Sequence, residues 1–182
     1  MKHLEEKTLS SKQVFKGRFL KVEEDKVQAP DGKTYHREYI VHPGAAMMIP
    51  LLPNGNVVMV HQYRHAVKQV MLEFPAGKRD HGEDSLVTAK RELTEETGYS
   101  ANEWKFLTPI HPVIGYSNEQ IDLYLAKDLS KTQQRLDQGE FLEVVEVAPR
   151  DLIKLIQEGK LTDVKTQIGA FWLDKILREE WN

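Results

Sequence analysis

With 182 residues, the chain can hold one domain of usual size and a small appendage. Its 28 acidic and 25 basic side chains leave a formal charge of -3, which gives no global basic field and argues against a nucleic-acid polymer as partner. There is no cysteine, which excludes disulfides, thiolate nucleophiles and thiolate zinc sites. The N-terminal stretch lacks the apolar core of a signal peptide, and no apolar run approaches the ~20 residues that span a membrane. A cytoplasmic enzyme is the expectation.

Residues 1 to 11 are polar and read as frayed. From Gln13 the pattern turns to strands. Val14-Phe15 and Phe19 to Val22 precede a turn at Ala29-Pro30-Asp31-Gly32, and Thr34 to Val41 is rich in β-branched and aromatic residues. Residues 12 to 42 thus read as a small antiparallel sheet, too small to stand alone, that must pack on something, most simply the rest of its own chain. His42-Pro43-Gly44 is a break, so the expected division is residues 1–43 and 44–182. Ala45 to Leu52 and Val57 to Gln62 are apolar runs joined by Pro53-Asn54-Gly55-Asn56, a hairpin signal. Gln62-Tyr63-Arg64-His65 leaves the second strand with polar side chains. Leu72 to Gly77 follows, with a Pro and a Gly that mark irregular backbone beside a charged site.

Residues 77–99 carry the chemistry. A helix capped by Asp84 or Ser85 and ended by Gly98 puts Glu92, Glu95 and Glu96 on one face. Like charges at that spacing repel, and a hard divalent cation such as Mg²⁺ or Mn²⁺ is the natural compensation. The plainer alternative is a solvated acidic face. Leu86, Val87, Ala89 and Leu93 supply a separate buried side. Beyond Gly98, strands are expected at Trp104 to Ile110 and Gln120 to Ala126, with a cleft-bordering loop between them. Residues 127–139 read as a mobile polar loop, Phe141 to Val147 as a strand, Pro149 to Ile156 as a helix, and a last helix starts near Asp163. This mixture argues for an α/β sandwich around a mixed sheet.

The central stretch resembles the Nudix box, Gly-x5-Glu-x7-Arg-Glu-U-x-Glu-Glu-x-Gly-U, with U a bulky aliphatic residue. Gly77, Glu83, Arg91, Glu92, Leu93, Glu95, Glu96 and Gly98 match; Tyr99 departs at the final position but is still bulky. The chain looks like the ADP-ribose pyrophosphatase branch of that family. The resemblance implies an α/β/α sandwich and metal-dependent hydrolysis of the pyrophosphate bond of nucleoside diphosphate sugars. ADP-ribose, giving AMP and ribose 5-phosphate, is the first candidate, with GDP-mannose or ADP-glucose next. It also implies a homodimer through the N-terminal sheet; the absence of a long apolar run argues against a membrane partner.

By the same resemblance, the Ala76 carbonyl, Glu92 and Glu96 ligate the metal, and Glu95 binds it directly or through water. Arg91 orients the glutamates, and Glu83 fixes the loop or reaches the metal through water. Glu140, after Gly139, is the expected loop acid, as metal ligand or general base, with Glu143 second; two residues earlier stands Gln138, which cannot be a base. Arg37, Glu38, Arg64 and Pro112 are the candidate substrate contacts, although the family's Ser-Pro-Gly run here reads Pro-Val-Ile-Gly. Two other functions fit the same motif less closely. One is hydrolysis of nucleoside triphosphates or dinucleoside polyphosphates. The other is a non-catalytic nucleotide sensor, which would be expected to have lost the box carboxylates.

Overall fold

The computed structural model describes residues 1–181 and divides into two compact units. Unit 1 comprises residues 1–43 and 111–120, and unit 2 comprises 44–110 and 121–181.

Unit 1 is a three-stranded antiparallel sheet of β1 (Lys7–Lys16), β2 (Lys21–Gln28) and β3 (Thr34–Ile40), in that order. The stretch expected to be frayed up to residue 11 is therefore ordered strand from Lys7. Every β1 side chain is exposed, so no burial pattern announces it. What holds it is the ladder to β2 and cross-strand pairs such as Lys12–Glu24 at 2.7 Å. Phe19 and Leu20 belong to the turn rather than to β2. The Pro-bearing loop 111–120 joins this unit: Ile40 N–H donates to Tyr116 O, and His42 N–H donates to the Asn118 side chain.

Unit 2 holds two sheets and three helices. β4 (Ala45–Pro50), β5 (Val57–Arg64), β6 (Gln69–Glu73) and β7 (Ala76–Lys78) precede α1 (Ser85–Thr97). Then come β8 (Tyr99–Ile110), β9 (Ile121–Lys131), β10 (Leu142–Val147), α2 (Pro149–Gln157) and α3 (Val164–Leu177). One sheet runs β7-β4-β9-β8 and is mixed, because β4 and β9 are parallel; the other, β10-β5-β6, is antiparallel.

β4 shows why the layers form. It is buried on both faces, as a central strand with a parallel neighbour should be. Ala45, Met47 and Ile49 face a core shared with Val57 and Met59 of β5, Leu152 of α2, and Ala170 and Leu173 of α3. Ala46 and Met48 face the opposite way, against Ala89 and Leu93 of α1. Each fully buried Met, Ile or Leu contributes roughly 1.5–3 kcal/mol. α1 is thus fixed on one face of the mixed sheet and α3 on the other.

Besides β1, four elements differ from expectation, and one of them, β6, was not expected as a strand. β8 starts at Tyr99 instead of Trp104, and β9 continues to Lys131, into the span read as loop. Both extensions are polar, and the two strands pair with each other there, from Tyr99↔Lys131 to Glu103↔Lys127. The short strand β7, only Ala76–Lys78, is too brief to leave a sequence pattern. Among the described residues, no helix is long and apolar enough to cross a membrane.

Candidate active site

α1 forms where its caps dictate. Asp84 Oδ1 accepts from Leu86 N–H at 2.9 Å, and Gly98, at φ 68°, closes the C-terminus in the left-handed conformation glycine favours. With Ala89 and Leu93 turned to the core, Glu92, Glu95 and Glu96 occupy the neighbouring face. That face lines a cleft of about 620 Å³. β7 supplies Ala76, Gly77 and Lys78, β5 supplies Gln62, and the loop before β10 supplies Asp137 to Glu140. Six carboxylates, those of Asp80, Glu92, Glu95, Glu96, Asp137 and Glu140, share the wall with the cations Lys78 and Arg91.

Arg91 organises the acids. Its Nε and Nη2 donate to the two Glu83 oxygens at 3.1 and 3.0 Å, a bidentate pair. Nη1 donates to Glu92 Oε1 at 2.8 Å and Glu95 Oε2 at 3.0 Å. Arg91 thus forks onto Glu83 and tethers the metal-site candidates by single bonds. Glu83 also accepts from the Thr88 hydroxyl at 2.7 Å and from Asp80 N–H at 3.1 Å. Arg91, then Thr88, hold its carboxyl down at about 2. With its oxygens so engaged, Glu83 ties the loop to the helix.

Glu96 is almost wholly buried, and its Oε2 accepts from Ala76 N–H at 3.0 Å. Burial, then the charges of Glu92 and Glu140, push its carboxyl well above the usual range, against a smaller pull from Ala76 N–H and Arg64. Glu92 is raised too, by burial first, with Arg91 opposing. Its carboxylate lies directly over Gly77: a Cβ there would stand 1.8 Å from Glu92 Cδ, so only glycine fits.

Glu140 lines the cleft, where Gln62 Nε2 donates to its Oε1 at 3.4 Å. Glu143 lies on β10 opposite His61 and is exposed. The four expected ligands, Ala76, Glu92, Glu96 and Glu140, therefore border one cleft. Among the described residues, however, no three acidic or His side chains close on one point as a finished metal cage. Arg91 holds one oxygen each of Glu92 and Glu95, and Ala76 N–H holds one of Glu96. The donor set nonetheless suits a hard divalent cation. It is all oxygen, and the protein's own donors under-compensate a buried carboxylate beside two others.

The candidate substrate contacts are placed differently. Arg64 donates bidentately to Glu73 at 2.6 and 2.7 Å, so one edge of its guanidinium is committed to an internal ion pair. Arg37, Glu38 and Pro112 lie in unit 1. There, Arg37 donates to both oxygens of Glu6, at 3.0 and 2.5 Å, and Glu38 is exposed on β3 opposite Glu24. Sequence reasoning missed Asp80 and Asp137 in the cleft, and it missed Glu73. The one available signal for Glu73 is a carboxylate inside the apolar run Val70 to Phe74.

The cleft beside α1 is walled by carboxylates, in a unit of two sheets and three helices. Residues 41–166 match the model of the NUDIX domain, and residues 6–40 match that of the nucleoside diphosphate sugar hydrolase N-terminal domain. The chain is 38% identical to an ADP-ribose pyrophosphatase of Bacillus subtilis over 95% of each protein. It is 40% identical to a methanol dehydrogenase activator of Bacillus methanolicus over 94% of each. The crystal structure of an ADP compounds hydrolase, 22% identical, superposes with a TM-score of 0.85 over 96% of this chain and 95% of the other. The chain belongs to the Nudix hydrolase family. It is an enzyme of the branch that hydrolyses the pyrophosphate bond of nucleoside diphosphate sugars, in a family that works with divalent metals.

Proposed function

We propose that the substrate is ADP-ribose, cleaved to AMP and ribose 5-phosphate in the cleft beside α1. The observation that supports this most is the pairing of buried Glu96 with loop-borne Glu140 in one cleft, in a chain similar along its length to an ADP-ribose pyrophosphatase. Glu92, Glu96, Glu140 and the Ala76 carbonyl would hold Mg²⁺ or Mn²⁺, with Glu95 beside them. When bound, such an ion supplies charge neutralisation at the pyrophosphate and acidifies the attacking water.

The chain's residues do the rest. Arg91 keeps Glu92 and Glu95 from splaying apart. Ala76 N–H fixes the Glu96 carboxylate. Glu140, on a loop that can adjust to substrate, takes the proton of the attacking water as general base. A new bond then forms from water oxygen to one phosphorus while the bridging P–O bond breaks, and the leaving phosphate departs with the bridging oxygen. Arg64 offers the substrate phosphates the edge of its guanidinium that Glu73 does not hold.

A product-analysis panel, reading nucleoside monophosphate, sugar phosphate and pyrophosphate by chromatography, tests this reading with ADP-ribose, ADP-glucose, GDP-mannose and nucleoside triphosphates, each with Mg²⁺ and Mn²⁺. Turnover of ADP-ribose is expected to exceed the others, and Glu140→Gln is expected to lower it by roughly 10²–10⁴-fold. Release of inorganic pyrophosphate from triphosphates in place of sugar phosphate would overturn the substrate assignment.

The sheet of residues 1–43 is further proposed as the arm of a cytoplasmic homodimer. Leu9, Val14, Phe15 and Leu20 are exposed on this small unit and supply apolar surface that a second subunit could cover. Sedimentation at micromolar concentration is expected to give a dimer, and a monomer would rule the arm out.

A further inference from the structure

The first turn of α3 has hold of the segment that leads to Ala76. Thr166 is fully buried; its hydroxyl accepts from Phe74 N–H at 3.1 Å and donates to Asp163 Oδ2 at 2.6 Å. Asp163 in turn caps the helix, accepting from Thr166 N–H at 3.1 Å. Lys165 places its ammonium between Glu73 Oε2 and Asp163 Oδ2, 2.9 Å from the latter. One turn on, Gly169 lets the helix press on Phe74, since an added Cβ would stand 2.7 Å from Met47 Cε and 3.0 Å from Phe74 Cδ2.

Two lines of contact run from here. From Thr166, the bond to Phe74 N–H fixes the chain two residues before Ala76, whose own N–H holds Glu96. From Lys165, the contact to Glu73 fixes the carboxylate on which the Arg64 fork rests. Apolar packing alone would bury Phe74, but its ring can slide along a helix. A hydrogen bond donated by a backbone N–H to a buried side chain sets position along the strand, and breaking it strands a buried donor.

We propose that Thr166 and Lys165 are positioning residues of the hydrolase: Thr166 sets the Ala76 peptide for the cation, and Lys165 sets Arg64 for the substrate phosphates. This rests on the cation site and the Arg64 role proposed above. The two residues therefore control separate constants, cation affinity and substrate affinity.

The test uses the full chain carrying Thr166→Val, Thr166→Ser, Lys165→Met or Glu96→Gln. Circular dichroism and a melting curve first establish the temperature at which each is folded. Mn²⁺ binding is then measured by calorimetry without substrate, and KM and kcat with ADP-ribose. Thr166→Val is expected to bind Mn²⁺ about tenfold more weakly, and Thr166→Ser to recover to within about twofold. Lys165→Met is expected to raise KM about tenfold with kcat within about twofold and Mn²⁺ affinity unchanged. A merely structural role would lower the melting temperature and leave these constants alone. Folded Thr166→Val with wild-type Mn²⁺ affinity, or Lys165→Met with wild-type KM, overturns the proposal; if Thr166→Val does not fold, Thr166→Ala, which also removes the hydroxyl, is measured in its place. Glu96→Gln separates the two levels. If it keeps wild-type Mn²⁺ affinity, the cation site itself is misplaced. If it loses Mn²⁺ while Thr166→Val does not, the site stands and the positioning falls.

Discussion

Glu96→Gln is expected to lower turnover on the order of 10³-fold while the protein melts at the same temperature or slightly higher. The two effects have different sources. A carboxylate that shares a cation with the pyrophosphate helps stabilise charge developing in the transition state, and losing one such group costs roughly 3–5 kcal/mol of barrier, hence 10²–10⁴-fold in rate. Stability responds oppositely. Glu96 is buried beside Glu92 and Glu140, and both neighbours disfavour its charge. A glutamine has nearly the same shape and still offers an oxygen to Ala76 N–H, the one hydrogen bond that matters for local order. Removing the charge relieves repulsion on the helix face, a gain of a few tenths of a kcal/mol for an exposed i,i+4 pair and more where water is excluded. The measurement is kcat with ADP-ribose and Mg²⁺ alongside a urea titration. Near-normal kcat would remove Glu96 from the site. Lost activity together with a large drop in stability would show that the carboxylate is structural.

The same contrast shows which parts of the molecule the sequence could reveal. α1 was legible because every signal for it is local: Asp84 at one end, Gly98 at the other, and Ala89 and Leu93 at core spacing between. The acidic face followed from the same periodicity. The first half of β1, Lys7 to Ser11, was not legible, because none of its side chains is buried in this chain and a strand with two exposed faces has no alternation to read. The polar ends of β8 and β9 are strand only because each has the other to pair with. Glu140, which the resemblance singled out after Gly139, lines the cleft. Asp137 and Asp80 were not singled out, since an acid in a loop announces no direction. The resemblance marked Arg64 as a ligand contact, and the structure adds that part of its fork is already spoken for by Glu73. That pairing, and the grip of Lys165 on Glu73 across 92 residues of chain, depends on tertiary packing of α3 that no spacing rule reaches.

Glu73→Gln is the substitution expected to cost the most stability, roughly 3–5 kcal/mol at neutral pH. Glu73 is 2% exposed, and its two oxygens receive both the Arg64 fork and the Lys165 ammonium. Glutamine can accept from one of them, but it leaves two cations facing a neutral group, Lys165 in a largely buried position. Removing one of those cations as well should relieve part of the penalty, so the double variant Glu73→Gln/Lys165→Met is expected to be more stable than Glu73→Gln alone. The pH dependence follows from the carboxyl's own balance. Burial pushes it up, but the Arg64 fork and the charges of Lys165 and Arg64 more than reverse this, so it lies below its ordinary value of 4.5 in the folded chain. A group depressed on folding adds stability above its unfolded value, and that stability is lost as pH falls through the folded value. The difference in unfolding free energy between wild type and Glu73→Gln is therefore expected to be full at pH 7 and to shrink as the pH drops below about 4.5. Urea titrations from pH 7 to pH 3 measure it. A difference that stays constant over that range, or widens in acid, would mean that the Arg64–Glu73–Lys165 group is held together by packing rather than by its charges.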